Sequence, residues 1–218
     1  MPISSGLRCL ALPALVCLCA SSHASLIVYF SQESFLAATS AQGTDTFTGI
    51  IPATEYPSQL TRSAGTYAYI ATASAGSFSG AGTPANSWLS TFTPTATMTF
   101  NGFANAAQAI GGNFFGSDAI GQFKNGSVTV AARDSSGTLT QTIANATETS
   151  FLGFVSSDSL ISLSVTAVQV GQDSIWPTLD NLVIAQRPSS NGVPEPHSTT
   201  LLLAGIGIMG WLARRRRA

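Results

Sequence analysis

Gln122-Phe-Lys-Asn-Gly-Ser-Val-Thr-Val-Ala-Ala-Arg-Asp-Ser-Ser-Gly-Thr-Leu-Thr-Gln-Thr-Ile-Ala144 is the stretch that decides the fold. Residues 128–132 and 139–144 are strand candidates, and residues 134–137 between them are a run of turn-forming types. Asn125-Gly126 is the strongest hairpin signal in the chain, because a type I′ turn requires positive φ at both central positions. The stretch therefore predicts two successive antiparallel hairpins, one turning at residues 125–126 and the other at residues 134–137.

The chain on either side of this stretch repeats the same period-two pattern. Residues 95–100 alternate, with Ala96, Met98 and Phe100 on one face and threonines on the other. Residues 26–30 are a continuous apolar run, which predicts a strand buried on both faces. The other strand candidates are residues 66–72, 87–92, 108–115, 149–155, 160–168 and 179–185.

Glycines and one early helix interrupt these strands. Gly111 and Gly112 stand in mid-strand and indicate a bulge or a close backbone approach, whereas residues 76–86 lack periodicity and predict a loop. Residues 32–41 predict a helix that Ser31 can cap. About ten short strands with one early helix predict a mainly β fold, an antiparallel β-sandwich or jelly roll. We assign this domain to residues 25–186 and a flexible linker to residues 187–192.

Composition excludes several kinds of chemistry from this domain. All three cysteines lie within residues 1–24, and the two histidines are His23 and His197, so residues 25–192 contain neither type. This removes Ser-His-Asp and Cys-His catalysis and the usual zinc sites. Four basic minus nine acidic side chains give the same segment a net charge of −5, which disfavours nucleic-acid binding.

The N-terminal residues 1–24 have the pattern of a secretory signal peptide. Arg8 provides a basic start, residues 10–20 are apolar, and Ser22-His23-Ala24 is a small-x-small cleavage site for signal peptidase. The mature protein is expected to begin near Ser25.

Residues 193–218 combine three features. Val193, Pro194, Glu195 and Pro196 come first, a short apolar helix is predicted over about residues 198–213, and Arg214, Arg215, Arg216 and Arg217 follow. The apolar core, residues 201–213, is only about 20 Å long as a helix, against about 30 Å for a bilayer core. We therefore expect a transient transmembrane helix with its arginines in the cytoplasm and the domain on the opposite side.

This combination resembles the C-terminal sorting signal of the PEP-CTERM proteins of Gram-negative bacteria. The matching residues are 193–196, Ser198 and Thr199, the apolar segment and residues 214–217, with His197 as an insertion. The resemblance implies processing by exosortase, a membrane protease-transpeptidase, and association with extracellular polysaccharide or biofilm. Residues 111–118, 150–155 and 176–183 also resemble the β-sandwich ectodomain of many such proteins, which implies fold and location but no activity.

Single aspartates at strand ends are candidate metal ligands. Asp118 and Asp180, with Asp134 and Asp158, supply the oxygens that calcium prefers. No calcium-loop signature surrounds them, and Asp118 and Asp180 fit the role of binding turn backbone groups equally. No other cofactor is expected.

Aromatic side chains are candidate sugar-binding residues. Trp176 stands beside Pro177 in a connection and is the better candidate; Trp88, Tyr67 and Tyr69 lie on strands, where aromatics commonly belong to the core. A glycosidase would need two carboxylates held about 5–9 Å apart, and the acidic residues are scattered singly.

These features together predict an exported, non-enzymatic surface or extracellular-matrix protein. Signal peptidase and exosortase are its expected processing partners, with the inner membrane as a transient location and exopolysaccharide as a matrix partner. The alternatives are a carbohydrate-binding module tethered to the envelope and a carboxylate-dependent hydrolase.

Overall fold

A computed structural model describes residues 25–188. Within that range the chain forms one α-helix, α1 (Gln32–Ala37), a single 3₁₀ turn (Ala104–Ala106) and fourteen strands. The strands are β1 (Leu26–Tyr29), β2 (Ser40–Asp45), β3 (Glu55–Tyr56), β4 (Gln59–Ala64), β5 (Tyr67–Ala73), β6 (Phe78–Thr83), β7 (Asn86–Thr91), β8 (Met98–Asn101), β9 (Ala109–Ser117), β10 (Gly126–Arg133), β11 (Thr138–Ala146), β12 (Phe151–Ser156), β13 (Ser162–Ala167) and β14 (Trp176–Gln186).

All strand pairs are antiparallel, and the strands form two sheets that share one core. The eight-stranded sheet has the order β1-β12-β9-β14-β7-β6-β3, with β2 paired to β14 as well. The six-stranded sheet has the order β11-β10-β13-β8-β5-β4. Phe114 and Leu179 of the first sheet share a buried cluster with Phe100 and Val130 of the second. The predicted mainly β, antiparallel fold with one short helix is confirmed, and the two packed sheets fit the sandwich architecture.

One of the two predicted hairpins is present. β10 and β11 pair through the turn at residues 134–137, where Asp134 Oδ1 accepts from the backbone N–H groups of Ser136 at 2.8 Å and Gly137 at 3.1 Å. The hairpin predicted at Asn125-Gly126 is wrong, because neither residue has positive φ. Lys124 instead donates its backbone N–H to Gly116 at 2.9 Å, so the preceding residues pair with the end of β9.

The segment predicted as a loop, residues 76–86, contains β6. Its glycines allow close packing within a strand: a Cβ on Gly80 would lie 2.0 Å from the carbonyl oxygen of Ile51. The polar strands β2 and β4 carry no apolar alternation and were not predicted. The apolar run at residues 26–30 is not buried on both faces, since β1 is an edge strand paired only with β12 and Ile27 is 47% exposed.

The helix begins as predicted and ends early. The Ser31 hydroxyl accepts from the Ser34 N–H at 3.2 Å, and the Thr39 hydroxyl donates to the Phe35 carbonyl at 2.9 Å. Ser40 then begins β2, so the helix stops short of residue 41. Phe35 is fully buried over Gly153 of β12, which has no Cβ to obstruct the ring.

No helix within residues 25–188 is both long and apolar enough to cross a membrane. The predicted signal peptide (residues 1–24), most of the linker, the sorting motif (193–196), the transmembrane helix (about 198–213) and the arginine cluster (214–217) lie outside the described residues.

Candidate functional site

The face of the eight-stranded sheet that points away from the six-stranded sheet carries a row of polar and aromatic side chains. We call it the outer face. The Thr178 hydroxyl lies within hydrogen-bond distance of the hydroxyls of Ser117, at 2.8 Å, and Ser90, at 3.1 Å. Strands β14, β9 and β7 therefore share this face at that level. Strand alternation then places Trp88, Asn113, Phe115, Trp176 and Asp180 on it as well.

A β-bulge shapes the outer face at β14. The pairing with β9 shifts between Asp180 and Val183, and Asn181 has a φ of 50° within the bulge. Asn113, on β9 opposite Asp180, accepts through Oδ1 from the Asn181 side-chain amide at 3.3 Å. Gly111 and Gly112 were predicted to mark a bulge or a close backbone approach. The close approach is confirmed at both glycines, and the bulge lies on the partner strand β14.

Two separate clefts open on the outer face, each holding one tryptophan and one aspartate proposed from the sequence. The Trp88 cleft, of about 550 Å³, is lined among others by Trp88, Asp180, Asn113, Glu148 and Phe151. The Trp176 cleft, of about 240 Å³, is lined among others by Trp176, Phe92, Ser90, Ser117 and Asp118.

The Trp176 cleft has an aromatic rim and a hydroxyl-rich floor. Trp176 is half-buried, and its Nε1 donates to the Phe92 carbonyl at 3.2 Å, which orients the indole ring. The Phe92 side chain is 59% exposed at the same rim. An accessible aromatic ring can stack on a sugar ring. The floor hydroxyls of Ser90 and Ser117 are buried and bonded to each other and to Thr178, so they support the rim rather than contact a ligand.

Asp118 stabilises its own turn at the edge of this cleft. Its Oδ1 accepts from the backbone N–H groups of Ile120 at 3.0 Å and Gln122 at 2.8 Å. This is the turn role that its residue type favours.

The Trp88 cleft contains two buried polar groups. Trp88 is 6% exposed and packs edge-on against Phe115, with ring centroids 4.9 Å apart, and its Nε1 has no hydrogen-bond partner among the described residues. Asp180 is also 6% exposed and accepts from the Asn181 backbone N–H at 2.7 Å and side-chain amide at 2.9 Å.

The electrostatics of the Trp88 cleft are acidic. Burial raises the pKa of Asp180 above its usual value, and the nearby carboxylates of Asp45 and Glu148 raise it further, against the hydrogen bond from Asn181. Glu148 lines the same cleft, and neither lysine nor arginine is among its lining residues. The cleft therefore lacks a positive charge opposite its carboxylates.

The aspartates proposed as calcium ligands do not converge. Asp180 pairs with Asn113, five positions before Asp118, so the two lie roughly 16 Å apart along the sheet. Asp134 binds Ser136, Gly137 and Ser156, and Asp158 binds Ser135 and Ser159. Within residues 25–188, no three His, Cys, Asp or Glu side chains are grouped as metal ligands.

Tyr67 and Tyr69 are not available as a sugar platform. They are 2% and 1% exposed, and their hydroxyls donate to the Ala41 carbonyl at 2.7 Å and to Asp45 Oδ2 at 2.6 Å. These two tyrosines belong to the core, as aromatics on strands commonly do.

Sequence reasoning missed most of the residues that line the two clefts, among them Phe92, Asn113, Glu148 and Asn181. The sequence offered a signal for Asn181 only. An asparagine inside an apolar strand tolerates positive φ and can therefore indicate a bulge. The others are brought together by strand pairing between distant parts of the chain.

Comparison with known families identifies the segment after the domain. The family model for the PEP-CTERM protein-sorting motif matches residues 192–217. The chain therefore carries a PEP-CTERM sorting motif, which indicates an exported protein sorted by an exosortase. No curated protein matches the chain.

Proposed function

We propose that this chain is a cell-surface or extracellular-matrix protein that exosortase releases from the inner membrane and that associates with exopolysaccharide. The observation that carries the proposal is the sorting motif at residues 192–217, which follows a β-rich domain ending in β14. The absence of cysteine and histidine from residues 25–192 supports a non-enzymatic role for the domain.

The direction of β14 supports an outward-facing Trp176 cleft. This strand runs from Trp176 to Gln186 over 11 residues, so its ends lie roughly 33 Å apart. The sorting segment follows the Gln186 end, and the Trp176 cleft lies at the other end. Residues 193–218 would attach the protein to the membrane beyond the Gln186 end of β14. The Trp176 cleft would then lie at the end of β14 that is farther from the membrane.

A tethered carbohydrate-binding module is the second candidate, and it is favoured by the Trp176 cleft. The indole is fixed by its bond to Phe92 and stays half-exposed, while Ser90, Ser117 and Thr178 form a connected hydroxyl group nearby. This module would be the means by which the protein holds polysaccharide.

The processing part of the proposal is tested by the intact mass of the exported protein. We expect a species that starts near Ser25 and ends before Leu201. Glu195→Ala, or deletion of the exosortase, should leave the longer form in the membrane, whereas Asp173→Ala, a change at an exposed acidic residue, should not. Unchanged release after both Glu195→Ala and exosortase deletion would reject this part.

The polysaccharide part is tested by co-sedimentation of the released protein with exopolysaccharide from the same cells. We expect Trp176→Ala to reduce the bound fraction at least about fivefold, because a stacking contact is lost. Ile161→Ala, at a side chain that is 47% exposed, is the matched control. Equal binding by wild type and Trp176→Ala would reject a role for this cleft.

A further inference from the structure

The Trp88 cleft contains a hydrogen-bond donor that has no partner within residues 25–188. Trp88 lines the cleft and is 94% buried, and its indole N–H has no acceptor among the described residues. Nearly all buried donors in native proteins are paired, since an unpaired donor loses the hydrogen bonds that it makes to water in the unfolded chain. Because Trp88 lines the cleft, an acceptor on a ligand bound there is a candidate partner for this buried N–H.

The same cleft contains negative charge with no lysine or arginine among the described residues that line it. Asp180 is buried and Glu148 is exposed at the cleft wall, with amide side chains of Asn113 and Asn181 beside them. Asp180 accepts two hydrogen bonds, and both come from Asn181, which is uncharged. A ligand that brings a positive charge would stabilise this arrangement, because burial of an uncompensated carboxylate is unfavourable.

The cleft is also long enough for a chain-like ligand. A neighbouring cleft of about 470 Å³ shares the lining residues Asn86 and Asn181 with the Trp88 cleft. The two together form a groove that continues toward Ile50 and Pro52. Phe30, which is 67% exposed, provides an apolar surface at the other end of the groove.

We propose that this groove binds a polysaccharide through an amino-sugar unit whose amine is free and protonated. The ammonium group would lie at Asp180 and Glu148, and a sugar oxygen would accept from the Trp88 N–H. The apolar ring face would pack on Phe151 or Phe30. The inference rests on the proposed association with polysaccharide and adds the class of sugar that is recognised.

Two other ligand classes fit the groove less well. A calcium ion needs six to eight oxygens, and the groove offers two carboxylates, one of which already accepts two bonds from Asn181. A neutral sugar would satisfy Trp88 and leave both carboxylates without a counter-charge. An amino sugar supplies the cation and the acceptor in one unit.

The test is isothermal titration of the full chain in detergent with a tetramer of β-1,4-linked glucosamine and with the fully N-acetylated tetramer. We expect the free amine to improve affinity at least about tenfold, as charge-assisted hydrogen bonds do. Asp180→Asn and Glu148→Gln should each remove most of that preference. Trp88→Phe keeps a ring and removes the N–H, and should weaken binding of both tetramers. Glu33→Gln, at an exposed helix residue, is the control and should change nothing.

Several outcomes would overturn the proposal. These are equal affinity for the two tetramers, an amine preference that survives both carboxylate changes, and equal binding of a lysine tetrapeptide, which would show that any ammonium group suffices. Cleavage of the tetramer that Asp180→Asn abolishes would replace the binding role with a hydrolase. If Asp180→Asn does not fold, the exposed Glu148→Gln carries the test. Failure here leaves exosortase processing and the Trp176 co-sedimentation result unaffected, so the two proposals fail separately.

Discussion

Arg62 and Asp45 form a bidentate ion pair that joins the two sheets. Arg62 on β4 donates from Nε to Asp45 Oδ2 and from Nη2 to Asp45 Oδ1, at 2.7 Å each, and Asp45 lies on β2 of the other sheet. Tyr69 and the backbone N–H of Phe47 donate to the same carboxylate at 2.6 Å and 2.8 Å. Asp45 is 5% exposed, so these donors replace the water that its carboxylate loses on burial.

Arg62→Met is expected to lower the free energy of unfolding by about 3 kcal/mol, because it leaves a buried carboxylate without its cation. Urea denaturation followed by tryptophan fluorescence measures this loss. Arg133→Met, at an exposed arginine, is the control. Asp45→Asn combined with Arg62→Met should be less destabilised than the sum of the single changes, since the unpaired charge is gone. A loss below about 0.5 kcal/mol for Arg62→Met would show that water replaces the guanidinium.

Asp134→Asn is expected to destabilise the protein at neutral pH by about 1–2 kcal/mol. Burial acts to raise the pKa of Asp134, but hydrogen bonds from Ser136, Ser156 and Gly137 outweigh it and hold the pKa below the usual 3.8. The stabilisation is therefore present above pH 3.8 and is lost as the pH falls through the lower folded value. The difference in the free energy of unfolding between wild type and variant should decrease in acid, as measured by urea denaturation from pH 7 to pH 2.5. A difference in stability between wild type and variant that stays constant with pH would contradict this assignment.

Asp180→Asn, unlike Asp134→Asn, is expected to stabilise the protein at neutral pH. Because burial raises the pKa of Asp180, the folded state holds this proton more tightly than the unfolded state. Its ionisation therefore reduces stability as the pH rises above 3.8, and the penalty is complete above the folded pKa. The variant should unfold at a higher temperature than wild type at pH 7, with the difference vanishing below pH 3.8. Calorimetry at the two pH values measures it, and a variant that is less stable at pH 7 would show that hydrogen bonds to Asn181 dominate.

Gly153→Ala is expected to destabilise the protein by about 1–3 kcal/mol through overpacking beneath α1. A Cβ at this position would lie 2.4 Å from Phe35 Cδ2 and 2.9 Å from its Cε2. Thermal unfolding monitored by circular dichroism measures the loss. Combining the change with Phe35→Leu should recover part of it, because the smaller side chain can yield. Two strictly additive losses would show that the ring is not the source of the strain.

The strands with strong alternation were predictable from local pattern. The turn at residues 134–137 and the buried face of Ala96, Met98 and Phe100 were found because their pattern repeats over neighbouring residues. The strand β6 and the failed hairpin at Asn125-Gly126 were not, since their pairing is decided by distant partners: Ile51 packs over Gly80, and Gly116 accepts from Lys124.

Some residues of the candidate sites were also predictable from the sequence, and others were not. Trp88, Trp176, Asp118 and Asp180 were identified by residue type, and the structure sorts them into two clefts that local sequence does not distinguish. Their partners, such as Glu148 and Asn113, arrive from other strands. That the Trp88 N–H has no partner in the described part of the chain is a property of packing alone.

The sequence by itself determined the sorting motif at residues 192–217, the antiparallel β class, and the absence of cysteine and histidine chemistry from residues 25–192, because each depends on residue types or short-range order. Only the tertiary structure decided which aromatic rings are accessible and which carboxylates are buried without a counter-charge. Those properties depend on residues that are far apart in the chain and adjacent in the sheet, where strand pairing sets the distances.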